Sequence, residues 1–74
     1  MLKIRTQDAN RFLEFGEVYA AQSRGRGAVY LQNKIHFRPV LVGVYEDVER
    51  ARGVCYEIAQ AYQNGERIFY APAK

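Results

Sequence analysis

Asp47-Val48-Glu49-Arg50-Ala51-Arg52-Gly53-Val54-Cys55-Tyr56-Glu57-Ile58-Ala59-Gln60-Ala61-Tyr62-Gln63-Asn64-Gly65 carries the helical period in its apolar residues. Val48, Ala51, Cys55, Ile58 and Tyr62 recur at alternating steps of three and four, and Val54 and Ala61 widen the stripe. Glu49, Arg50, Arg52, Glu57, Gln60 and Gln63 take the opposite face. This spacing predicts an amphipathic helix with one face to bury, and alternation at period two does not fit it. Asp47 stands where an N-cap carboxylate accepts from the first unpaired N–H groups, and Glu49 suits the positive end of the helix dipole. Asn64-Gly65 closes the helix, because glycine readily takes the left-handed position just past a C-terminus. Gly53 costs about 1 kcal/mol relative to alanine inside a helix, and is expected to leave room for a neighbouring strand to come close.

Upstream the pattern turns to strands. Val40-Leu41-Val42-Gly43-Val44-Tyr45 is nearly continuous in apolar, β-branched residues, the composition of a strand central in its sheet, and Pro39 marks its start. Gly27 to Gln32 reads as a second strand and Glu17 to Gln22 as its hairpin partner, joined by a flexible turn at Ser23-Arg24-Gly25-Arg26-Gly27. Leu2 to Thr6 and Arg11 to Phe15 form two short strands around the turn-like Gln7-Asp8-Ala9-Asn10. Past the helix, Arg67 to Tyr70 is a short final strand ended by Pro72. The strands on either side of the helix are expected to run parallel, as in a β-α-β crossover. The predicted fold class is α+β: one domain over residues 1–74, a small, mostly antiparallel sheet with one helix across one face.

Composition agrees with a folded chain, since hydrophobic residues make up 49% and charged residues 26% of the sequence. A domain of this size buries only about 60% of its unfolded surface, so association with another chain is an expected source of stability. Cys55 has no second cysteine to pair with and, with His36 the lone histidine, too few ligands surround it for a structural zinc. Neither a metal nor another cofactor is expected. No apolar run approaches the ~18 residues of a membrane span, and the opening Met1-Leu2-Lys3-Ile4-Arg5 does not read as a secretory signal. A reducing, cytoplasmic setting is the expectation.

The residues that carry chemistry are few. His36 reads as a solvent-facing side chain, and Cys55 on the helix stripe as a small buried hydrophobe. No nucleophile elbow, phosphate loop or metal-ligand spacing occurs, so no catalytic residue and no small-molecule substrate is expected. The charge distribution is more informative than the net charge of +3, because no acidic residue lies between Glu17 and Glu46 while Arg24, Arg26, Lys34 and Arg38 do. Interleaved with Tyr19, Tyr30 and Phe37, these cations suit single-stranded nucleic acid, with Arg24, Arg26, Lys34, Arg38 and Tyr30 as candidate contacts. The bland alternative is that they are ordinary turn charges and sheet tyrosines. Tyr45, Tyr56, Phe69 and Tyr70 are surplus to what one helix and one small sheet can cover, which marks them as a candidate protein interface.

The run Leu41-Val42-Gly43-Val44-Tyr45-Glu46-Asp47-Val48-Glu49-Arg50-Ala51, continued by Glu57-Ile58, resembles a C-terminal pattern of small uncharacterised bacteriophage and prophage proteins. There a strand ending in Leu-Gly-x-Tyr leads into a helix opening with a polar cap and Glu-Arg-Ala. The opening Lys3-Ile4-Arg5-Thr6-Gln7-Asp8 is similar to the start of such proteins. This chain departs at Val42, where the pattern more often has Leu, and at Gly53 and Cys55. The resemblance implies an accessory protein of a mobile element and carries over no functional residue. The expected function is a non-enzymatic interaction module, a homodimer or a binder of a protein partner. The alternative is a single-stranded nucleic-acid-binding domain that uses the basic hairpins.

Overall fold

In the computed structural model of the protein, which describes residues 1–74, seven elements follow one another along the chain. They are β1 (Lys3–Arg5), β2 (Phe12–Glu14), β3 (Glu17–Ser23), β4 (Arg26–Gln32), β5 (Val40–Tyr45), α1 (Val48–Gln63) and β6 (Ile68–Tyr70). The α+β class follows from one helix set against short, mostly antiparallel strands. Those strands form two three-stranded sheets, ordered β2-β1-β6 and β3-β4-β5, where a single sheet was expected. β6 runs parallel to β1 and every other pairing is antiparallel. The crossover over α1 therefore delivers β6 to β1, in the other sheet from β5.

Gln7 joins the two sheets. Its backbone N–H donates to the Val42 carbonyl at 2.8 Å, and its side-chain amide donates to the Val44 carbonyl and accepts from the Val44 N–H, both at 2.9 Å. One glutamine thereby occupies the outer edge of β5 as a neighbouring strand would. β4, not β5, is the central strand of its sheet. The apolar run of β5 is explained by a core on one side and by Gln7 and the C-terminal segment along its edge.

The helix starts and stops where its caps require. Asp47 accepts from the Arg50 N–H at 2.8 Å, and Glu49 sits in the first turn. At the other end the Gly65 N–H donates to Tyr62 and the Glu66 N–H to Ala61, the reciprocal pair of a Schellman ending. The buried face is Ala51, Val54, Ile58 and Ala61, with Cys55 half-buried beside it. Tyr62 lies on the rim of that stripe, stacked on Phe15 with ring centroids 4.2 Å apart. These helix residues meet Leu2, Ile4, Leu13, Val29, Leu31, Val42 and Tyr45 in one core.

Two glycines shape the second sheet. The β3–β4 hairpin closes through Arg24 and Gly25 alone, with φ of 51° and 78°. Positive φ at both central positions is the primed turn whose twist matches that of the strands, tighter than the flexible segment expected. Gly27 is where the helix comes close: a Cβ there would overlap the Asp47 carbonyl and lie 2.8 Å from the Ala51 Cβ. Gly53, expected to receive a strand, meets only the Arg50 Nη1 at 3.8 Å. The close approach occurs from the strand side, since α1 places its N-terminal backbone, not its middle, over β4.

Candidate interaction surface

Side chains alternate across a strand, so the core members of β3, β4 and β5 define the opposite face by parity. Val18, Ala20, Val29, Leu31, Val40 and Val42 pack inward. The register then places Tyr19, Tyr30 and Leu41 in one row across the three strands on the outer face, and Ala21, Ala28 and Val44 in the next. Alternation puts Val40 and Val42 inward and Leu41 outward, and a bulge at Val42, opposite Val29 and Tyr30, then resets the parity so that Gly43 and Tyr45 face inward as well. Tyr19 and Tyr30 stack with centroids 5.7 Å apart. Tyr19 is 38% exposed and Leu41 46%. Across the strands of this face the only charges are Glu17 and Arg26, at opposite ends.

The predicted nucleic-acid contacts are divided. Arg24 and Arg26 stand at the β3–β4 hairpin, whereas Lys34 and Arg38 lie in the loop between β4 and β5. Arg26 opens β4 and Lys34 lies just past its end at Gln32, so the length of the strand, about 20 Å at strand rise, stands between the two groups. Tyr30 lies between them, half-buried against Tyr19. In the loop, the Asn33 side chain accepts from the N–H groups of Ile35 and His36 at 2.9 and 3.1 Å, leaving Phe37 exposed at the tip.

The predicted interface tyrosines also separate. Tyr45 does not belong on a surface: it is 2% exposed, and its hydroxyl donates to the Pro72 carbonyl at 3.0 Å. Strand alternation after the bulge turns it inward. Burial pushes its pKa up to about 12, an effect opposed by the nearby Arg50 guanidinium, which lies 5.7 Å from the ring. Phe69 is half-buried against the core. Tyr56 on the helix is 67% exposed, and Tyr70 is exposed beneath the Arg5 guanidinium, 5.5 Å from its ring. Tyr56 and Tyr70 therefore remain surface rings, on different elements. In the sequence Tyr19 is a ring among cations, but Leu41 carries no mark; only its register against Tyr30 puts it on this face.

Burial raises the Cys55 pKa, so its thiol is held away from the thiolate form. Every buried side-chain polar atom has a hydrogen-bond partner, and no three His, Cys, Asp or Glu side chains are grouped to hold a metal ion. An open groove of about 680 Å³ lies beside β5, lined by Gln7, Arg26, Tyr45, Glu46, Arg50 and Lys74 among others. Arg50 is already committed there, to Glu57 at 3.1 Å and to the Lys74 carbonyl at 2.9 Å. No helix is long and apolar enough to cross a membrane. The fold is a small α+β domain whose second sheet carries the partly exposed Tyr19-Tyr30-Leu41 row. Neither a protein-family model nor a curated protein nor a solved structure matches the chain.

Proposed function

We propose that the protein is a non-enzymatic interaction module that binds another polypeptide, a second copy of itself in the first instance, through the β3-β4-β5 sheet. One observation carries this reading: the Tyr19-Tyr30-Leu41 row on the outer face, where Tyr19 and Leu41 are exposed and Tyr30 is half-buried beside the buried Ala28. Rigid aromatic area flanked by small residues, with charge confined to the ends, is the make-up of a protein-binding surface. The small size of the domain supports the same reading, because association adds the burial that a short chain lacks. The setting we propose, on the resemblance of its strand–helix junction, is that of an accessory protein of a mobile element. Light scattering over a concentration series tests self-association: a rise in mass with concentration is expected, and a clean monomer at the highest concentration removes it.

A second reading rests on the same face. Tyr19 and Tyr30 lie between the Arg24/Arg26 pair and the Lys34/Arg38 pair, an order that a short single strand of nucleic acid could follow by stacking and phosphate contact. Titration with mixed oligonucleotides at two salt concentrations separates the readings. Binding at low salt that disappears on replacing Arg24, Arg26 and Arg38 with Glu supports nucleic acid, and absence of binding at low salt excludes it.

A further inference from the structure

β3 is an edge strand with one side unused. Its only strand partner is β4, and none of the backbone hydrogen bonds outside the regular ladders and helix involves residues 17–23. No side chain reaches its backbone, in contrast to the edge of β5, which Gln7 fills. The two-residue turn makes Ser23 and Arg26 a hydrogen-bonded pair, and bonding alternates from there along the hairpin. The N–H and C=O groups of Val18, Ala20 and Gln22 consequently point away from β4. Natural edges of this length are protected by lysine, proline or a bulge. Val18-Tyr19-Ala20-Ala21-Gln22-Ser23 contains no proline and no charge, and the β3–β4 register runs unbroken.

We propose that two copies of the chain pair along β3, antiparallel about a two-fold axis at Ala20, to make one continuous six-stranded sheet. This rests on the self-association reading and names its geometry. With Ala20 opposite itself, Val18 faces Gln22 and the outward backbone groups of both copies meet as reciprocal hydrogen bonds. Tyr19 faces Ala21, so each Tyr19-Tyr30 stack continues across the seam into the small Ala21-Ala28 row of the other copy on the outer face. Charge agrees with the register: Glu17 of each copy falls opposite Ser23 and beside Arg24 of the other. The remaining sheet edges are poorer templates, because β2 and β6 are three residues each and β6 runs into Pro72.

Sedimentation velocity on the full chain and its variants, at matched concentrations, tests the pairing. The wild type is expected to dimerise reversibly. Gln22→Pro deletes an outward N–H that the monomer does not use and should weaken the dimer by more than about tenfold. Glu17→Arg brings like charges together at both ends and should weaken it up to about tenfold, while Glu17→Arg combined with Arg24→Glu should restore it. Circular dichroism checks that each variant folds, and if Gln22→Pro does not, the surface charge exchange decides alone. A dimer whose affinity is unmoved by the charge variants, or lost instead on Leu41→Ser at the far side of the sheet, overturns the edge pairing and leaves self-association standing. A monomeric wild type overturns both.

Discussion

Replacing Gly53 with alanine should stabilise the protein. Gly53 lies within α1, and a Cβ built there meets nothing nearer than the Arg50 Nη1 at 3.8 Å, an ordinary van der Waals contact. The bonds of Arg50 to Glu57 and to the Lys74 carbonyl need not move. The change therefore registers almost entirely as helix propensity and the reduced backbone freedom of the unfolded chain, worth about 0.8–1 kcal/mol. An unfolding entropy of about 2.1 cal/mol/K per residue, taken over this length, converts that gain to a rise of about 6 °C in Tm. Thermal and urea unfolding followed by far-UV circular dichroism, at fixed protein concentration, measure it. An unchanged urea m-value would show that the surface exposed on unfolding is the same. A Tm that falls would refute the reasoning, because it would require something to approach α1 at Gly53.

The opposite outcome is expected at Gly27, where a Cβ would overlap the Asp47 carbonyl and crowd Ala51; Gly27→Ala should cost about 1–3 kcal/mol in urea unfolding, and a neutral result would mean that α1 slides freely over β4. Tyr45→Phe removes the hydrogen bond to Pro72 and should cost about 1 kcal/mol at neutral pH. Burial holds the folded Tyr45 pKa at about 12 against 10 for the free side chain, so its contribution is full below pH 10 and lost as pH rises through 12. The stability difference between wild type and Tyr45→Phe should shrink over that window, and a constant difference would contradict the assignment. At the acid end, the Thr6 hydroxyl and then the Asn10 N–H hold the Asp8 carboxyl below its ordinary range. The stability from Asp8 is present above pH 3.8 and lost as pH falls through the lowered folded pKa, so Asp8→Asn should flatten this part of an acid-unfolding curve.

The candidate interaction surface is legible in the sequence only in part. That strands rich in tyrosine bracket a basic, acid-free middle third is plain from the residue order. That Tyr19, Tyr30 and Leu41 form one row is not, because the row depends on two registers and one bulge. The basic residues looked clustered because they are near in sequence, yet the length of β4 sets them at opposite ends of the sheet. Tyr45 misled for a related reason: from its neighbours alone a strand-end tyrosine is equally suited to a surface or a core.

Helix α1 marks the division most clearly. Its start at Asp47, its stop before Gly65 and its apolar stripe depend on residues within one or two turns, so they were readable from residue order. The same holds for the positions of the strands, whose propensities and turn residues are local. What required the tertiary structure was everything set by distant contacts. The division into two sheets, the parallel placement of β6 beside β1 and the central position of β4 depend on pairings between segments far apart in the chain. Gln7, polar and in a predicted turn, becomes the junction between the sheets because its amide matches the hydrogen-bond spacing of β5. Gly27 and Gly53 exchange the roles their sequence settings implied, since only the docking angle of the helix decides which backbone comes close. The helix itself is scaffold. Its buried face lies against the sheets, and the surface proposed for a partner is the outer face and open edge of β3-β4-β5.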